Sequence, residues 1–166
     1  MKRVAALGVM VALALVQVTW APRISIAGAF PNLVLATVVA ITWMSGVRAG
    51  MAWACIGGVL LDLSAPGAVG PHALALLTAA YVTSLWARNF ESAHALHAAL
   101  TAAAGTAAYS LTLVLTDGLL GQPGIDAGIF IRLAVAAAVY NALLTPFALE
   151  AMRRLRALVR EGPEPA

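Results

Sequence analysis

Asp62 is the residue in this chain best placed to do chemistry, because it ends a row of small residues inside an apolar segment. Gly46, Gly50, Ala54 and Gly58 precede it at four-residue intervals, which on a helix lines up one face. Such a face is smooth enough for a second backbone to lie against it, as small-residue rows allow between membrane helices. An acid at the end of the row is costly in hydrocarbon and needs a partner or water. The candidates are His72, the amides of the loop 64–71, and Arg132 in the last apolar segment, with Arg132 the favoured member of a polar pair. Arg132 has one other course, to snorkel outward to the interface. Asp62 as a proton or ligand site is the sharper reading, and a structural acid at the water interface is the plainer one.

Glu91, His94 and His97 recur at three-residue spacing and share roughly one helix face, which raises a metal site. No fourth ligand stands near them, and Glu91 suits the electrostatics of a helix start, so no metal is expected. Asn141 and Thr145-Pro146 interrupt the last apolar segment, where proline frees a carbonyl and favours a kink. Cys55 is the single cysteine, which excludes an internal disulfide and any cysteine metal spacing. There is no phosphate-binding glycine loop, no serine–histidine–acid set and no paired carboxylates within one segment. Neither catalysis nor a cofactor is expected.

The elements that must position these residues follow from composition. The chain has 166 residues, 62% of them hydrophobic and only 10% charged, with a mean hydropathy of +0.91. Soluble domains carry roughly 25% charged residues, so an all-α integral membrane protein is expected. Apolar segments lie at about 4–20, 31–46, 49–63, 72–87, 93–116 and 127–149, each near the roughly 17–25 residues that cross a bilayer. They predict a bundle of six transmembrane helices over 1–149, followed by a basic amphipathic tail over 150–166. The second and third segments are short and nearly contiguous, so they form a tight hairpin. In the tail, Leu149, Met152, Leu155, Leu158 and Val159 fall on one helical stripe, with Arg153, Arg154, Arg156 and Arg160 mostly elsewhere. Such an end suits an anionic leaflet or a partner, or simply stops the last span. Residues 162–166 are expected to be disordered.

Six spans put both termini on one side together with Arg48 and Arg88. That side then holds eight of the ten basic residues, leaving Arg23 and Arg132 opposite. The positive-inside rule makes it the cytoplasm. Met1-Lys2-Arg3 before an apolar run resembles a secretory leader, but Pro22 follows the candidate cleavage site and Trp20 reads as an interface anchor, so a retained first span is expected. The scattered basic residues do not suggest nucleic-acid binding.

One stretch goes further. Pro31-Asn32 opens a span, Arg48-Ala49-Gly50 turns the hairpin, and Gly57-Gly58 precede Asp62 at the end of the next segment; Gly67, Gly70, His72 and Tyr81 follow. In order and spacing this resembles the rod-shape-determining membrane protein family MreD over roughly residues 31–86. The resemblance implies a non-enzymatic scaffold subunit of the bacterial cell-elongation complex, in the plasma membrane. It would support cell shape and lateral peptidoglycan synthesis through MreC, beside MreB, the glycosyltransferase RodA and its partner transpeptidase. It also implies a fold like the substrate-binding subunits of energy-coupling-factor vitamin transporters, six helices around a pocket. The family brings no catalytic residues. Its motif positions here are Pro31, Asn32, Arg48, Gly57, Gly70, His72 and Tyr81.

The rival is a substrate-binding subunit of that transporter type. Its size and span count fit, as does the small pair Gly8 and Ala12. A ligand site needs a few convergent polar groups, and the outer loops of this chain offer mostly proline, glycine and alanine. Proton-coupled transport through Asp62 is a third reading, weakened by the absence of a relay.

Overall fold

A computed structural model describes residues 2–25, 28–65, 67–88 and 95–160. Six α-helices run through them: α1 (Lys2–Thr19), α2 (Leu33–Ser45), α3 (Val47–Ser64), α4 (Pro71–Ala87), α5 (Ala95–Leu119) and α6 (Ala127–Arg160), with a short 3-10 turn at Ala21–Ile24. No β-strand occurs among the described residues. The helices α3, α5 and α6 hold stretches long and apolar enough to cross a membrane, while α1 and α2 are shorter apolar helices.

α2 occupies the centre and is in contact with every other helix. Its sequence explains the position, since LVLATVVAITWMS is apolar all round and buries residues 34–40 without a break. A helix that is hydrophobic on every face belongs in an interior. Around Val34, Leu35, Val38 and Val39 the core draws Met10 and Ala14 from α1, Ala54 and Leu61 from α3, Leu76, Ala79 and Ala80 from α4, and Ala102 and Tyr109 from α5. The partners are mostly alanine, so backbones come close.

The small-residue row lies against two neighbours. A Cβ at Gly50 would fall 2.8 Å from the Cβ of Thr42 on α2 and nearer still to its hydroxyl. One at Gly58 would fall 2.7 Å from the backbone nitrogen of Ala73 on α4. A Cβ at Gly57, one position earlier, would fall 2.7 Å from the Val34 side chain of α2 and 3.3 Å from that of Met10 of α1. Ala54 is fully buried between them. Gly46 corrects the expected row: it is exposed and lies outside both helices, where its φ of +83° breaks the chain between α2 and α3. That backbone conformation favours glycine, so Gly46 makes the hairpin turn and packs nothing. In α1, neither Gly8 nor Ala12 is buried, and a Cβ at Gly8 would meet nothing within 4 Å.

α6 continues unbroken through Pro146 to Arg160, with no break at residue 150. Thr145 donates to the carbonyl of Asn141 at 2.7 Å, a back-bond typical of threonine in a helix. Leu149 is buried, and together with Met152 it packs near Ala40, Trp43 and Ala98 of the bundle itself. The start of the expected tail stripe is thus part of the fold. Arg154 donates to Glu150 at 2.8 Å across one exposed turn. Residues 161–166 lie outside the described residues, as do Glu91 and His94. On the outer face of α6, Ile131, Val135, Val139, Leu143 and Phe147 are all more than half exposed. An exterior of that kind suits lipid.

Candidate functional site

Two polar centres sit within this apolar frame, and both border one cavity of about 640 Å³. The first is the start of α2. A buried helix N-terminus leaves backbone amides without intrahelical acceptors, and hydrocarbon supplies none. Here side chains do. The Asn32 side chain accepts from the Leu35 amide at 2.9 Å. Gln17 of α1 accepts from the Leu33 amide at 2.7 Å and donates to the Pro31 carbonyl at 3.0 Å. Asn141 of α6 accepts from the Asn32 amide at 2.9 Å and donates to Thr106 of α5 at 3.1 Å. Four helices are therefore tied at Pro31-Asn32. Gln17 and Asn141 are 5% and 1% exposed, so a lost partner there could not be replaced by bulk water.

The second centre is Asp62, at the end of α3 and 3% exposed. Its Oδ2 accepts from the amides of Gly70 at 2.9 Å and Ala73 at 3.2 Å. Its Oδ1 accepts from the His72 amide at 2.9 Å and lies 3.0 Å from His72 Nδ1. The carboxylate caps α4 from outside, because Gly70 has no side chain to do so. Pro71 has no amide to satisfy, and the Gly70 φ of +130° brings its own N–H round to the acid. A negative charge at a helix N-terminus is favourable, and here it also welds α3 to α4.

The expected Asp62–Arg132 pair does not form. Arg132 is exposed on α6, and among the described residues the side chain that meets the acid is His72. The reason is reach: the loop returns α4 directly beside Asp62, whereas α6 packs on α5 and α2. Ionised Asp62 can only accept, so His72 Nδ1 carries the hydrogen and Nε2 is left as the ring's other polar atom. The His72 ring meets Tyr109 edge-on at 6.3 Å, and His72, Tyr109 and Asn32 all line the cavity. The cavity wall therefore joins the two centres.

Of the other motif positions, Gly57 is buried at the α1–α2–α3 junction, and Tyr81 is half exposed, away from the cavity. Arg48 lies at the opposite end of α3. Cys55 is exposed on α3. No group of three metal-ligating side chains occurs among the described residues. Gln17 and the hydrogen-bonding roles of Thr106 and Asn141 were not legible as a set. A lone amide in an apolar run, such as Gln17 between Val16 and Val18, is the signal that could have found them.

The described residues form an all-helical protein with three helices long and apolar enough to cross a membrane, in which Gln17, Asp62 and Asn141 fasten helix starts. No family model matches the chain, and neither a curated protein nor a solved structure matches it.

Proposed function

We propose that this chain is a non-enzymatic membrane scaffold of the bacterial cell-elongation complex, acting through MreC as the resemblance to the MreD family implies. The supporting observation is where the resemblance-bearing residues lie. Pro31, Asn32, Gly57, Gly58, Asp62, Gly70 and His72 lie at helix junctions, where they close contacts or satisfy backbone groups. Residues with those duties fix the shape of a bundle, and shape is what a scaffold offers. Its partners would then be met on helix faces and helix ends. They are MreC, and with it MreB, RodA and the partner transpeptidase. The test is co-purification in mild detergent from the native host. Recovery of MreC with the tagged chain is expected.

A second reading has the cavity in its favour. Its volume of about 640 Å³ falls within the range of small-molecule pockets, roughly 300–1,000 Å³. That suits a substrate-binding subunit of the energy-coupling-factor type, whose six-helix fold this bundle would share. Most of its polar lining is already engaged: Gln17, Asn32 and Asn141 each bond backbone within the protein. Under this reading the same purification yields a transporter energising module and a bound vitamin-like molecule, and no MreC.

A further inference from the structure

We propose that the cleft between the α2–α3 turn and the end of α4 is a binding site for a phosphate group, with Arg48 and Arg88 as its cationic ligands. The cleft encloses about 360 Å³, and both arginines line it with Trp43, Ser45 and Ser84. They are 40 positions apart in sequence and meet because α4 returns antiparallel to α3, bringing its last residues to the Gly46 turn. Both are exposed, and among the described residues neither forms an ion pair. Among the described residues no carboxylate lines the cleft.

The backbone adds to this charge. α3 begins in the cleft with Val47 and Arg48, and Gly46 supplies no side-chain cap. The first intrahelical bond is Gly50 to the Gly46 carbonyl at 3.1 Å, so the amides before it have no acceptor within the helix. α2 and α4 end at the same place, and each C-terminus contributes about half a negative charge. Two full guanidinium charges and the about half-positive start of α3 exceed that, leaving the cleft cationic. Two planar forks lining one cleft suit an anion with several oxygens, and phosphate more than a single carboxylate. Fourteen residues of α3 separate Arg48 from Asp62, about 21 Å at 1.5 Å per residue, so the cleft lies at the opposite end of the bundle from Asp62, toward the other interface. The phosphate could come from a lipid headgroup in that leaflet or from a soluble phosphate.

The test uses the full chain in dodecyl maltoside, with tryptophan emission as readout because Trp43 lines the cleft. Dihexanoyl phosphatidylglycerol and inorganic phosphate are titrated separately and then in competition. Saturable binding of at least one is expected, weakened about tenfold by Arg48→Gln and by Arg88→Gln, the worth of one charge-assisted bond. Arg23→Gln, at a separate exposed arginine, is expected to change nothing. Binding of the lipid alone assigns a headgroup site; phosphate binding that competes with lipid assigns a site for the phosphate itself. Arg48→Lys keeps the charge and loses the fork, and a smaller loss is expected from it; this variant carries the test if the glutamine variants accumulate poorly. The proposal is overturned if neither probe saturates, or if the Arg48 and Arg88 variants bind as tightly as Arg23→Gln.

Discussion

Adding one methyl group at Gly58 should cost more than any other glycine-to-alanine change on α3 that leaves the turn intact, apart from Gly50→Ala. The added Cβ would fall 2.7 Å from the Ala73 nitrogen, whereas ordinary contact begins near 3.4 Å, so α3 and α4 must part by about 0.7 Å or more. Both atoms belong to helix backbones, so no side chain can turn aside. Overpacking of this kind costs about 1–3 kcal/mol. The same displacement stretches the Asp62 bond to the Ala73 amide, already 3.2 Å, beyond hydrogen-bonding range. An orphaned buried amide adds about 1–3 kcal/mol, for a total of about 2–6 kcal/mol. The assay is unfolding in detergent, followed by tryptophan emission, with Gly8→Ala as control because its Cβ meets nothing. Gly8→Ala should be neutral or slightly stabilising, by up to about 1 kcal/mol from helix propensity. In an Asp62→Ala background the Gly58 penalty should shrink, since the bond it would stretch is already gone. Equal unfolding of Gly58→Ala and Gly8→Ala would refute the close approach of the two helices.

Three further outcomes follow from the same geometry. Asp62→Asn and His72→Gln should be non-additive, with a coupling of about 0.5–3 kcal/mol, whereas Asp62→Asn and Arg132→Gln should simply add. Asn141→Leu and Gln17→Leu should each destabilise by about 1–3 kcal/mol, because each orphans an amide at the start of α2; unchanged unfolding of either variant would remove that centre from the account. A periplasm-active phosphatase fused after Arg160 should be inactive and one fused within residues 118–124 active, and the reverse pattern would sink the assignment of both termini to the cytoplasm.

Much of the bundle was legible because hydropathy and breakers carry it. The five breaks between the six apolar segments fall at Pro22, Gly46, the proline–glycine loop before Pro71, Arg88 and the loop around Gly121, and the first five helices end within a few residues of them, whereas α6 runs eleven residues beyond its segment to Arg160. The close approaches at Gly50 and Gly58 could be read from spacing alone, since only small residues permit them. Gly46 misled because four-residue spacing does not reveal where a helix begins; its backbone conformation does. The partner of Asp62 was misjudged for another reason. Arg132 offered a full opposite charge, but the other candidates, His72 and the loop amide of Gly70, lie beside the acid together with the amides of His72 and Ala73, and backbone donors cannot be ranked against a charge from sequence alone. The joining of Gln17, Asn32, Thr106 and Asn141 depends on four helices meeting, which no local pattern encodes. Arg48 and Arg88 read as a topology signal, and their common cleft appears only once α4 is folded back along α3.

The central proposal, a scaffold for cell elongation, is tested most directly by cell shape. Depleting this protein in its own host and measuring cell length and width over several generations should show rods widening into spheres. Re-expression of the intact chain should restore them. Cells that keep their dimensions through depletion, while losing uptake of a vitamin, would contradict the scaffold and establish the transporter reading.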